Sequence, residues 1–185
     1  HLAGAGIPVV MLDIVPKELP EGASRSMIAE GNKKQLTKTK PSPIFNTTVL
    51  DLIETGNLED DLDKLKDCDW VVEVVVENLK IKQSLFANIT PYLKDTAILS
   101  SNTSGIPIKM MTAEMDEGLK KRFLVTHFFN PVRYLKLLEL IPGVETDPEL
   151  MAFMKDFGEN TLGKGVVHGK DTPNFVGNRI GVFAM

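Results

Sequence analysis

The strongest constraint on the fold is a rhythm of apolar runs. Short runs recur at 7–12, 70–76, 97–99, 123–128, 137–141 and 165–167, rich in β-branched residues and without polar alternation. A strand with one wet face alternates; these runs suit strands covered on both faces. Helical stretches lie between several of them, at 24–38, 58–65, 79–89 and 148–161. The last begins with Asp147 as a cap and Pro148 at the first helical position, where a missing N–H costs nothing. Strands alternating with helices predict a mainly parallel sheet with helices on its faces. Such sheets bind ligands at the carboxyl ends of their strands, and the chemistry-bearing stretches of this chain fall at such ends.

The opening HLAGAGIPVVMLD places Gly4-Ala5-Gly6 before a run that closes on Asp13. A dinucleotide-binding loop needs a leading strand, a third glycine, and an acidic residue about 20 positions on. Only three residues precede Gly4, position 9 is valine, and Asp13 lies too close. The two glycines suit instead the end of a helix whose tail is residues 1–3, because glycine tolerates the left-handed conformation there. Asp13 then stands at the carboxyl end of strand 7–12. It is either an ordinary strand-end turn residue or the carboxylate that bonds adenosine ribose hydroxyls. In the second case the first strand and the true glycine loop are expected upstream of residue 1.

With 185 residues, 43% hydrophobic, the chain suits one domain with part of a second. A net charge of −4 argues against a nucleic-acid surface. No run approaches the roughly 18 apolar residues of a membrane span, and no secretory signal is visible. The single cysteine, Cys68, excludes an internal disulfide framework and reads as a buried thiol. Three scattered histidines give no metal-ligand cluster, and no G-x-S-x-G elbow marks a serine hydrolase. A reducing, cytoplasmic setting is the default expectation. KPSP at 40–43 is a loop, and KDTPNF at 170–175 reads as a boundary before a new apolar-periodic segment, 175–185.

Three stretches carry candidate chemistry. In VVEVVVENLKIK, Glu77 and Asn78 end a strand and enter a helix. Glu77 stands beside a bound ligand or simply favours the exposed amides of a helix start. Glu73, inside the same run, needs a partner or an exposed edge. In SSNTSG, 100–105, small polar residues form turns and caps, or the hydroxyl-rich wall of a pocket. The most informative stretch is THFFNPVRYLKLLELIP, where His127 ends one apolar run, Phe128 and Phe129 would pack beside it, and Asn130-Pro131 turns the chain. Twelve residues on, Glu139 interrupts the next run. A carboxylate there is expensive to bury unless paired. Histidine is a suitable partner: a carboxylate that accepts the Nδ1 proton fixes the tautomer and leaves Nε2 free as a base. His168 has no such companion and His1 lies in a helix tail; both read as structural or surface residues.

Together, Asp13 after its strand and the stretches VVEVVVENLKIK, SSNTSG, THFFNP…LLELIP and GKDTPNFVGNRIG closely resemble the 3-hydroxyacyl-CoA dehydrogenase family. The wording of RYLKLLELIP and DTPNFVGNRIG is most similar to the long bacterial members that act in fatty-acid β-oxidation. The resemblance implies an α/β, Rossmann-like, doubly wound, mainly parallel sheet that lacks its first strand and glycine loop. Residues 1–171 would form the NAD-binding domain and 172–185 the start of an all-α C-terminal domain. It implies NAD-dependent oxidation of 3-hydroxyacyl-CoA to 3-ketoacyl-CoA, with His127 as general base and Glu139 orienting it. Ser104 and Asn130 would hold substrate and the nicotinamide end. Asp13, Glu77 and Lys82 would contact the cofactor, with Asp13 favouring NAD over NADP, since a carboxylate repels the extra 2′-phosphate. Asn178 would close the site on the substrate. Lys33, Lys34, Lys38 and Lys40 would meet CoA phosphates or form a solvated helix face. A homodimer is implied for the full-length protein. Without the glycine loop, these 185 residues alone are expected to bind NAD weakly. Two rival readings remain: a related β-hydroxyacid-type dehydrogenase that relies on a lysine, and a non-catalytic NAD-binding relative.

Overall fold

The computed structural model describes residues 1–183; positions 184 and 185, the end of the expected C-terminal segment, lie outside the described residues. The chain divides into two compact units, His1–Lys66 with Asn130–Leu135, and Asp67–Phe129 with Lys136–Met185.

In the first unit, a 3₁₀ turn at Ala3–Ala5 ends on Gly6, whose left-handed φ of 82° lets its N–H reach the Ala3 carbonyl. Gly6 alone makes the stop, since Gly4 lies inside the turn. Strand β1 (Val9–Asp13) follows and pairs in parallel with β2 (Ile53–Asn57), which brings Asp13 opposite Asn57. Helix α1 (Met27–Gln35) connects them in sequence and buries Ala29. β2 carries no apolar run and was not expected. Its Gly56 fits because a Cβ there would meet Asp61 Oδ2 at 2.7 Å and Leu12 Cδ2 at 2.8 Å. Its Asn57 is buried, but its side chain is bonded to Ser26, Glu59 and Asp60. That Asn-centred turn occupies the expected start of the 58–65 helix, so only a 3₁₀ segment, Leu62–Asp67, forms. β1 is half-buried along its whole length rather than covered on both faces.

The second unit is a five-stranded sheet of β3 (Trp70–Glu73), β4 (Ile98–Ser101), β5 (Phe123–Phe128), β6 (Leu137–Pro142) and β7 (Gly165–His168), hydrogen-bonded in that order. Every pairing is parallel except β5–β6. β5 and β6 are the buried centre, whereas the edge strand β7 is largely exposed. Helices cover both faces. On one, Leu124, Leu138 and Leu140 form a core with Met151 and Met154 of α5 (Pro148–Asp156). On the other, Phe86 of α2 (Leu79–Ile89) meets Phe123 edge-to-face at 5.5 Å. α5 starts as expected, with Asp147 accepting the Glu149 N–H at 2.8 Å and proline in the first turn; it passes at Phe157–Thr161 into a wider π turn. Short helices α3 (Ile108–Met111) and α4 (Glu117–Lys121) lie between β4 and β5, and α6 (Gly177–Phe183) follows β7. No helix among the described residues is long and apolar enough to cross a membrane.

Candidate functional site

The site grows from one face of the second sheet. His127 on β5 lies directly opposite Glu139 on β6, and Glu73 on β3 lies opposite Ser101 on β4. Side chains alternate between faces, so directly opposed residues share one. The twelve-residue spacing therefore does what it was expected to do. Phe128, one residue on, points the other way into the α5 core, and of the two it is Phe129 that lies on the imidazole, at 4.5 Å between ring centroids.

His127 is 4% exposed and Glu139 0%. Nδ1 sits 2.7 Å from Glu139 Oε2, and Nε2 lies 3.3 Å from Ser104 Oγ. A carboxylate only accepts, so this bond assigns a ring proton to Nδ1; in the neutral imidazole Nε2 then carries the lone pair. The other carboxylate oxygen, Oε1, accepts N–H bonds from Val176 at 2.9 Å and Gly177 at 2.6 Å.

The second carboxylate cluster answers the question raised by Glu73. β3 ends at Glu73 rather than at residue 76, and Val74 and Val76 are exposed. The buried partner is Lys82, whose Nζ bonds Glu73 Oε1 at 2.7 Å and Oε2 at 2.9 Å. Ser101 Oγ and the Val75 N–H complete the shell of the carboxylate, at 2.5 and 2.6 Å. The Lys82 and Glu73 side chains are 1% and 0% exposed. Lys82, expected on the cofactor, thus has its ammonium enclosed between Glu73 and Glu77, whose Oε2 is 3.3 Å away.

Glu77 and Asn78, both read as candidates for the helix start, take different partners. Asn78 caps α2 by accepting the Ile81 N–H. Glu77 turns instead to the SSNTSG loop, where it accepts the Thr103 hydroxyl and the Ser104 N–H at 3.0 Å. Burial pushes its carboxyl up, but Thr103, Ser104 and Lys82 together hold it below the usual carboxylate range. The loop forms the expected turn, in which Thr103 Oγ1 accepts the Gly105 and Ile106 N–H groups, and it leaves Ser104 exposed beside His127. Thr103 and Asn102, whose Oδ1 accepts the Phe128 N–H, were not singled out from sequence. Hydroxyl and amide side chains directly after a strand were the signal.

Ser104, His127, Glu139, Glu77 and Lys82 are therefore joined in one unit, with Asn178 on α6 in the same unit. Asp13, Lys38 and Asn130 belong to the other. Asp13 ends β1 with Oδ1 on the Ile14 N–H and Oδ2 on the Asn32 amide. A half-exposed carboxylate at the carboxyl end of a parallel strand fits a ribose diol. Lys38 lines a cavity of about 630 Å³ with Lys33, Lys34, Thr37 and Thr55. Lys33 is bonded there to the Ile53 carbonyl at 2.6 Å. Cys68 is half-buried rather than buried.

The 3-hydroxyacyl-CoA dehydrogenase NAD-binding domain matches residues 1–172. A probable 3-hydroxyacyl-CoA dehydrogenase of Bacillus subtilis is 50% identical over an alignment of 196 residues, which covers all of this chain and 25% of that protein. A putative trifunctional enzyme of the fatty acid oxidation complex from Rickettsia felis is 42% identical over 184 residues, again 100% of this chain and 25% of the relative. Among solved structures, (S)-3-hydroxybutyryl-CoA dehydrogenase from Ralstonia eutropha superposes with a TM-score of 0.73 at 31% identity, covering 96% of this chain and 60% of that one. The chain thus spans a quarter of these two relatives and three fifths of that structure. Strand order, the match over residues 1–172 and these likenesses agree: the chain belongs to the 3-hydroxyacyl-CoA dehydrogenase family, as a Rossmann-type NAD-binding domain.

Proposed function

We propose that this chain carries the catalytic dyad of an enzyme that interconverts 3-hydroxyacyl-CoA and 3-ketoacyl-CoA with NAD, in fatty-acid β-oxidation. The observation that carries the reading is the buried Glu139–His127 pair, which holds Nδ1 and turns Nε2 toward the exposed Ser104 hydroxyl. In this reading Asp13 holds the adenosine ribose, and Ser104 and Asn130 hold substrate and the nicotinamide end. Asn178 closes on the substrate, and Lys38 faces CoA phosphate. Bound NAD would supply the acceptor for the hydride from C3. His127 Nε2 takes the proton of the 3-hydroxyl, and Ser104 Oγ bonds the same substrate oxygen. The imidazolium formed is stabilised by Glu139, and in the reverse direction it returns the proton to the ketone oxygen. Lys82 acts through Glu77 rather than on the cofactor. The name of the Rickettsia relative supports β-oxidation, the resemblance supports a homodimer, and the single cysteine suits the reducing, cytoplasmic setting expected from composition.

The test is His127→Ala in the full-length protein, assayed by NADH-dependent reduction of acetoacetyl-CoA. A positioned general base contributes about 10²- to 10⁴-fold, so turnover falls by that factor while NADH still binds. Unchanged turnover would overturn the assignment and favour a lysine-dependent relative, and absence of turnover in the wild type would favour a non-catalytic one.

A further inference from the structure

We propose that Gly177 is a positioning residue for the His127–Glu139 pair, because the start of α6 clamps Glu139 from behind while the bare Cα at 177 leaves room for the Phe129 ring that lies on the imidazole. The proposal rests on the dehydrogenase reading for its catalytic consequence, but its geometry stands apart from it. Glu139 divides its oxygens, with Oε2 on His127 Nδ1 and Oε1 on the N–H groups of Val176 and Gly177. The carboxylate is planar and 0% exposed, so it cannot turn toward one set of donors without loosening the other. The chain is aimed at it by two non-glycine residues in left-handed conformation, Asn174 at φ 64° and Phe175 at φ 46°. Such conformations persist only where the surroundings hold them. Here Phe175 is 2% exposed, its ring is 5.7 Å from the imidazole, and the following two N–H groups are taken by Glu139.

Space makes the same demand at 177. A Cβ there would lie 2.7 Å from Phe129 Cζ, 3.2 Å from Cε1 and 3.3 Å from Leu137 Cδ2. Any side chain must push Phe129 off His127 or lift the Gly177 N–H off Glu139. Gly181, in the same helix, meets nothing within 4 Å. The seat of α6 and the alignment of His127 are therefore one linked equilibrium.

The experiment compares wild type, Gly177→Ala, Gly181→Ala and the double variant Gly177→Ala/Phe129→Leu. The readouts are the imidazole nitrogen shifts of His127 in ¹⁵N-histidine-labelled protein and kcat with acetoacetyl-CoA. Wild type is expected to show two distinct nitrogens of a fixed Nδ1–H tautomer. In Gly177→Ala they average, and kcat falls by about 10²-fold, the scale of a 1 Å misplacement. Gly181→Ala leaves both readouts unchanged. The double variant, with a smaller side chain at 129, regains the fixed tautomer and most of the rate. Unchanged His127 nitrogens in folded Gly177→Ala overturn the clamp whatever the activity. Averaged nitrogens, in a protein whose wild type does not reduce acetoacetyl-CoA, uphold the clamp and overturn the dehydrogenase reading. A measurement without substitution keeps the question open to refutation if Gly177→Ala does not fold. The wild-type Gly177 amide exchanges as slowly as the strand amides of β6 if Glu139 holds it, and exchange at an unprotected rate overturns the clamp.

Discussion

Lys82→Met tests whether the enclosed ammonium is chiefly a partner for Glu73. Methionine keeps most of the stem and removes the charge, which leaves Glu73 at 0% side-chain exposure with the Ser101 hydroxyl and the Val75 N–H. Breaking a buried pair by removing one partner costs about 3–5 kcal/mol, because the other charge stays behind. Each remaining neutral donor contributes about 1 kcal/mol, so the cost falls near 3 kcal/mol, at the lower end of that range. For a chain of this size each kcal/mol moves Tm by about 2–4 °C, which gives a fall of roughly 6–12 °C. The assay is thermal unfolding followed by tryptophan fluorescence. Trp70 is the only tryptophan in the chain, lies on the same strand as Glu73, and donates its indole N–H to Ser100 at 2.8 Å. The signal therefore reports the unit that holds the pair. Lys82→Met/Glu73→Gln removes the stranded charge and keeps an acceptor for the Val75 N–H. It is expected to recover about 2 kcal/mol of the loss, since replacing both partners is often near neutral. A fall under about 2 °C for the single variant, or a double variant no more stable than the single, would refute the reasoning.

The remaining expectations concern pH and access. Glu77 has a carboxyl held below its ordinary value of 4.5, so its contribution to stability is full above that value and is lost as pH falls through the folded value. Glu77→Gln should flatten the loss of Tm below about pH 4.5 relative to wild type, and parallel acid profiles of the two proteins would exclude that linkage. Burial pushes the Cys68 thiol up, and Asp67 and Asp69 reinforce it against Lys94. Its reaction with a disulfide reagent at pH 7 should be slow in the native protein and fast in urea, since only the thiolate attacks. Equal rates in both would show that the half-buried position does not protect it.

The parts of this fold that were legible in the sequence are those whose side chains advertise their surroundings. β5 spans 123–128 as read, because that run is buried almost throughout, and α2 spans 79–89 as read, because Asn78 caps it. β2 was invisible: Ile-Glu-Thr-Gly-Asn has no apolar pattern, and its place depends on a glycine that admits Leu12 and an asparagine bonded on all sides. Glu73 signalled that it needed a partner but not which one. The partner sits nine positions on, at the end of the first turn of α2. Main-chain donors leave no mark at all, which is why the N–H groups of Val176 and Gly177 could not be foreseen.

That blind spot bears on how the two buried carboxylates differ. Both lie on one face of the sheet, and each has two uncharged donors of its own: Ser101 and Val75 for Glu73, Val176 and Gly177 for Glu139. The third partner separates them. Glu73 has the amine of Lys82, buried at 1% exposure, and the pair can do little but hold the loop that bears Glu77. Glu139 has an imidazole, which donates Nδ1–H whether or not Nε2 carries a proton. The carboxylate therefore keeps all three donors through a change in the charge of His127, and the cost of that change is met by a group that need not move. Exchanging the two partners would remove this property even if every distance were preserved. The chemistry of the site follows from which strand received the histidine and which helix supplied the lysine.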